Sequence, residues 1–234
     1  MNNELLQEID NNNFFSDFLL FLSTLKEKGG LQLTIKGNLQ RKEIDYFGHA
    51  FKVDIYHRDR EGKIMWPIYR EDEVPHLKRI RLMCKVMYLT YQRKGKLLLS
   101  KNGKGYLTNI DKQTQYEQMI LWYFHRCNWG YMHYYLDDLA KLFQDNQPIL
   151  WRQLLSQKDN WIDFKKYVEG IRLYFHLNDK GEFSDRVEWV VERVIVKDLE
   201  LYGLMETKSV LGKYGKIIQS LKLTKLGEHM LTKF

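Results

Sequence analysis

A seven-residue pattern, Leu-x-Leu-(Thr/Ser)-x-x-Gly, occurs three times in this chain of 234 residues. It reads Leu31-Gln32-Leu33-Thr34-Ile35-Lys36-Gly37, then Leu97-Leu98-Leu99-Ser100-Lys101-Asn102-Gly103, then Leu221-Lys222-Leu223-Thr224-Lys225-Leu226-Gly227. Two leucines two apart face the same side of a strand, the hydroxyl residue caps the turn or helix that follows, and the glycine permits a close approach or a tight bend. The uneven spacing excludes a solenoid, which needs a fixed period. The chain must instead fold around strand-to-turn or strand-to-helix junctions.

The second copy closes a stretch of unusual charge. From Val74 to Lys104, nine cationic side chains (Lys78, Arg79, Arg81, Lys85, Arg93, Lys94, Lys96, Lys101 and Lys104) occur without a carboxylate. Asp72-Glu73 and then Pro75 mark a helix start, and apolar periodicity predicts a helix from there to about Arg93. Lys78, Arg81 and Lys85, at i, i+3 and i+7, fall on one side of that helix as a basic seam. Leu77, Ile80, Cys84, Tyr91 and their neighbours supply a wide apolar arc on the others. Residues 95–105 are expected to form a turn, a short strand and a Gly-rich basic loop.

Charge bears on function because almost all of the formal +7 falls in residues 1–110, so a polyanionic partner should meet the first half. An ordinary apolar fraction excludes a disordered or fibrous class. No run approaches the roughly 18 apolar residues of a membrane span, and the N-terminus lacks a signal pattern, so a cytoplasmic location is expected. Cys84 and Cys127 offer neither a disulfide framework nor a four-cysteine zinc site and are expected to be buried thiols.

In chain order, a helix should run from the Asn11–Asn13 cap region to Gly29-Gly30, with Asn38 capping another to about Phe47. Weak alternation over 51–73 around Arg58-Asp59-Arg60-Glu61-Gly62 suggests a hairpin. Helices near 114–126, 135–144, 148–157 and 161–175 carry an aromatic core that includes Trp129, Trp151 and Trp161. Asn178-Asp179-Lys180-Gly181 reads as a loop, and Ser184 as the cap of a helix with Val187, Val190, Val191 and Val194 inward. Strands at 204–210 and 216–223 should follow, closing on Thr224 and the last helix.

The run Leu201-Tyr202-Gly203-Leu204-Met205-Glu206, the hairpin after it, and Leu223-Thr224-Lys225-Leu226-Gly227-Glu228-His229-Met230-Leu231 resemble the end of winged helix-turn-helix domains of the MarR-like kind. The resemblance covers roughly 184–232, more loosely 75–108, and Gly30 to Phe47 only in its strand and cap. The chain is also similar to repeats in uncharacterised bacterial, often plasmid-associated, proteins. What this implies is a mainly α fold with small β-hairpins: tandem winged-helix-like modules joined by a helical, aromatic-rich segment, divided as 1–110 and 111–234. One departure stands out. The 184–202 helix, in the recognition position, carries a net charge of −2 and would repel phosphates, leaving only wing residues such as Lys208, Lys213 and Lys216 to touch a backbone.

Other constellations have plainer readings. His125, Cys127 and His133 lie among aromatics without standard metal spacing. Asp54, His57 and Asp59 are routine in polar turns. Gly103-Lys104-Gly105 lacks the full phosphate-loop pattern and reads as a wing tip. No catalytic, metal or cofactor residues are therefore picked. The function expected is non-enzymatic nucleic-acid binding, DNA favoured, in a transcriptional or plasmid- or phage-related regulator. Its candidate contacts are the nine cations of 78–104 with Lys213 and Lys216, and the 184–202 helix is the candidate surface for a homodimer or protein partner. The alternative is a protein–protein adaptor, in which exposed aromatics such as Trp66 or Trp151 matter more.

Overall fold

The computed structural model describes residues 3–59, 61–133, 137–177, 186–212 and 215–234. The expected loop at 178–181, the Ser184 cap, Arg60 and Lys213 lie outside them. The chain is mainly helical with two small three-stranded antiparallel sheets, and it forms two compact units, residues 10–127 and residues 1–9 with 128–234. Sequence placed the division at 110. The helix that follows stays with the first unit because Tyr116, Met119, Ile120, Tyr123 and Phe124 are all buried in it, Tyr116 edge-on to Phe15 at 5.2 Å. Gln115 also exchanges hydrogen bonds with Tyr106 through both residues' carbonyls.

Helix α1 (Asn3–Asn11) belongs to the other unit except for its last two residues; the 10–127 unit proper begins with α2 (Asn13–Glu27), where Asn12 accepts the Phe15 N–H at 2.7 Å and the phenylalanine-rich face is buried. A left-handed Gly29 ends α2 and turns the chain into β1 (Leu31–Gln32). Then come α3 (Arg41–Ala50) and α4 (Pro75–Val86), the hairpin β2 (Thr90–Arg93) and β3 (Lys96–Leu99), α5 (Lys101–Thr108) and α6 (Lys112–Arg126). Sheet order is β1-β3-β2, with Leu31 opposite Leu97 and Arg93 opposite Lys96. Both turn residues, Lys94 and Gly95, have positive φ, as a two-residue hairpin matched to the strand twist requires.

Four expectations for this unit are corrected. Helix α4 stops at Val86 rather than Arg93, because Tyr88 takes a left-handed conformation and Leu89 donates back to Cys84 O, the closing bond of a Schellman end. The basic Gly-rich segment is not a loop but the first turns of α5, capped by Ser100. Gln40, not Asn38, precedes α3. Between α3 and α4 the hairpin shrinks to one bridge, Arg58 with Ile64; the buried Asp17 holds the start of this segment by accepting the Lys52 and Val53 N–H groups and pairing with His76 at 2.9 Å.

The second unit contains α7 (Trp129–Met132), α8 (Asp137–Asp145), α9 (Gln147–Leu155), β4 (Ile162–Asp163) and α10 (Phe164–Phe175). A helical rod follows, made of α11 (Arg186–Val190), a wide π-type turn (Val191–Val196) and α12 (Lys197–Leu201). Then come β5 (Met205–Gly212), β6 (Gly215–Leu223) and α13 (Lys225–Leu231), with sheet order β4-β6-β5. The valines expected inward are buried, as are Trp129 and Trp151, while Trp161 is partly exposed under the Lys208 ammonium, which stands 4.1 Å from its ring centre.

Two of the three sequence repeats are the same structure. Ser100 Oγ accepts the Gly103 N–H and donates to Tyr88 O; Thr224 Oγ1 accepts the Gly227 N–H and donates to Gly203 O. The third, at 31–37, is different: Thr34 opens a turn closed by the Gly37 N–H, with Gly37 at φ 82°. A Cβ on Gly103 would lie 2.3 Å from Leu89 O, and one on Gly227 only 1.9 Å from Leu204 O. Gly103→Ala and Gly227→Ala are therefore expected to cost about 1–3 kcal/mol each or more by overpacking, read from chemical denaturation, with Gly227→Ala the worse of the two.

Candidate nucleic-acid interface

Three elements bring the basic stretch of the 10–127 unit to the surface: α4, the turn of the β2–β3 hairpin and the first turn of α5. Of the nine cations, Lys78, Lys85, Arg93, Lys94, Lys96, Lys101 and Lys104 are exposed. The ion pairs of this unit among the described residues use other cations, including Lys28, Arg41, Arg58, Arg70 and Lys112. The exposed seven stand outside those pairs. Pairing of Arg93 with Lys96 across the hairpin, and Lys94 at its turn, sets three cations around one tip. Ser100 fixes the α5 start, so Lys101 and Lys104 leave the helix from its first turn.

The remaining two cations do other work. Arg81 is 14% exposed and pairs through Nη1 with Glu71, while Nη2 donates to Gly37 O at 3.2 Å. Glu71 also accepts the Leu39 N–H at 2.6 Å. Arg81 thus ties α4 to the 34–39 turn and to the 3₁₀ turn Glu71–Glu73, and the seam inferred from helical spacing keeps only Lys78 and Lys85 free on the surface. Arg79 is half-buried, with its guanidinium carbon 5.9 Å from the Tyr123 ring centre. Helical spacing shows which face a residue occupies; it does not show a carboxylate ten residues earlier folding back onto it.

In the second unit Lys216 is exposed on β6 opposite Leu211, and Lys213 lies outside the described residues. Val210, Leu211 and Ile217 are exposed beside it on the two strands. On the acidic rod, Asp198 is buried and pairs with His133 at 3.0 Å, and Glu200 accepts from Lys197 at 2.8 Å and from Thr207.

Burial pushes the Cys84 thiol up and the Cys127 thiol up to about 12, so neither offers a thiolate at neutral pH, and Cys127 lies 3.5 Å from Met83 sulfur. Asp59 accepts the Glu61 and Lys63 N–H groups in its own turn, and Asp54 pairs with Arg58, which holds its carboxyl below the usual range. Among the described residues, no group of three His, Cys, Asp or Glu side chains could hold a metal ion, and no helix is long and apolar enough to cross a membrane. Sequence reasoning missed a shallow pocket beside α5; its lining comes from three separate segments, 87–89, 101–110 and 118–122, so no local pattern marks it.

Residues 11–112, from the last residue of α1 to the first of α6, match the family model described as the Y4jL N-terminal domain. No curated protein and no solved structure matches the chain.

The split among the cations has a direct test. Arg81→Glu would bury a carboxylate against Glu71, and breaking a buried pair costs about 3–5 kcal/mol, so this variant should unfold at much lower denaturant than the parent. Lys78→Glu with Lys85→Glu should leave the melting transition nearly where it was. Equal losses in the two variants would place Arg81 on the surface after all.

Proposed function

We propose that the protein is a winged-helix-type, non-enzymatic nucleic-acid-binding protein that meets duplex DNA with its 10–127 unit. The observation that carries this reading is the set of seven exposed cations on α4, the hairpin tip and the start of α5, unbalanced by any carboxylate in 74–104. Support comes also from element order: helix, short strand, helix, helix, hairpin, with the first strand against the second strand of the hairpin, as the winged-helix resemblance implies. In that arrangement α4 is the helix offered to a groove and Arg93, Lys94 and Lys96 form the wing. The cytoplasm is the compartment this reading assigns, and a transcriptional or plasmid- or phage-related regulator is its biological setting.

The second unit repeats the order but not the charge, which favours protein contact there. Trp189 is exposed on α11, and Leu173 and Tyr174 on α10, which packs against it. A second copy of the chain is the partner proposed for this surface. The adaptor alternative draws on one further observation, the exposed Met65, Trp66 and Tyr69 in a single segment. Trp151, its other sequence candidate, is buried at 1% exposure and drops out.

Titration of a labelled duplex at several salt concentrations tests the main reading. Neutralising about four to six phosphates gives a slope of log affinity against log salt near −4 to −5. A flat dependence would sink the proposal. Light scattering over a concentration series should show a dimer that Trp189→Ser weakens; a monomer throughout removes the self-association role.

A further inference from the structure

A pocket of about 440 Å³ opens beside the start of α5 in the 10–127 unit, within the roughly 300–1,000 Å³ range of small-ligand sites. Buried Leu89 and half-buried Trp122 give it an apolar side; Lys101, Asn102, Asn109 and Gln118 give it a polar one, and no carboxylate lines it. Among the described residues the Asn102 and Gln118 side-chain amides are not taken up by hydrogen bonds. The lining therefore combines a flat aromatic surface, amides able to donate and accept, and a cation.

Next to it stands a residue that the fold does not require. Tyr88 has φ 56°, a left-handed conformation that costs a bulky side chain strain. The second unit makes the same junction with Gly203, at φ 70°: Gly203 O accepts from Thr224 as Tyr88 O accepts from Ser100, and Leu204 closes its helix on Leu199 O as Leu89 does on Cys84 O. The hydrogen bonds thus need only a glycine. What the tyrosine adds is a ring, 67% exposed, edge-on to Trp122 with centroids 6.0 Å apart. Arg126 places its guanidinium carbon 6.0 Å from the same indole.

We propose that this pocket receives one unstacked nucleobase of a bound nucleic acid, stacked on the Trp122 indole with the Tyr88 ring walling one side, and met at its edge by the Gln118 and Asn102 amides. Lys101 and Lys104 hold the flanking phosphates. Every base has a flat face to stack and an edge of donors and acceptors, and aromatics beside cations are how proteins hold unpaired nucleotides. The inference rests on the nucleic-acid reading above and adds a preference to it, for strands with a base free to leave the helix.

The test uses the full chain and two fluorescein-labelled DNA duplexes, one fully paired and one with a single unpaired adenine at its centre. Stacking is worth about 1–3 kcal/mol per base, so the second duplex should bind roughly 5- to 150-fold tighter. Tyr88→Gly, which the fold accepts at Gly203, should keep the affinity for the paired duplex, keep or raise the melting temperature, and lose most of the preference; Trp122→Leu should lose it too. Equal affinity of the parent for both duplexes overturns the pocket while leaving duplex binding in place. A preference that survives both substitutions also overturns it, since flexibility of the unpaired DNA would then be its source. Failure to bind either duplex removes the nucleic-acid reading and this inference together.

Discussion

Each unit is organised by a single hydroxyl group used in both directions. Ser100 and Thr224 sit where the second hairpin strand becomes a helix, and each accepts an N–H from that helix while donating to the carbonyl at the start of the hairpin. The bond in one direction caps a helix; the bond in the other fixes where the preceding helix ends relative to it. Glycine three residues on allows the two backbones to meet, because any side chain would occupy the space of a leucine carbonyl. The positions of α4, the hairpin tip and α5 in the 10–127 unit therefore follow from one contact a few ångströms across.

On that frame, charge is divided by depth. Arg81 and Glu71 are used inside to hold an irregular turn, where an unpaired partner would be costly, and the exposed lysines are left for the solvent side. The second unit keeps the junction and changes the surface, with exposed Val210, Leu211 and Ile217 on its hairpin strands where the first unit has a cluster of cations at the turn. A shared scaffold with different surfaces is what two different partners would ask for.

How much of this was legible in the sequence depends on the range of the interaction. Local signals held: Asn12, Pro75, Gly29 and the Leu-x-Leu repeats marked helix ends and strands within a few residues, and the inward valines were visible by period. The end of α4 was not, because Cys84, Met87 and Tyr91 continue a helical apolar rhythm and the backbone sign of Tyr88 breaks it. Segment 51–73 was read as a hairpin from weak alternation, whereas its start is pinned by the remote Asp17 carboxylate. For the interface, composition revealed the cations but not which of them were taken, since Glu71 and Gly37 reach Arg81 only in three dimensions.

The wide turn at Val191–Val196 sets the rotational phase of the rod that contains it. It holds one residue more than an α-turn, as the Lys197 N–H bonding back to Glu192 O shows, and it lets Val194, Ile195 and Val196 all be buried in succession. Were one residue missing there, the rod could close into regular α-helix, and everything beyond it would swing by about 100° around the axis. Asp198 would leave His133, and Leu199 would leave the core. The extra residue thus works as a register pin, letting a valine-rich half and a junction-forming half share one rod while each keeps its own inward direction.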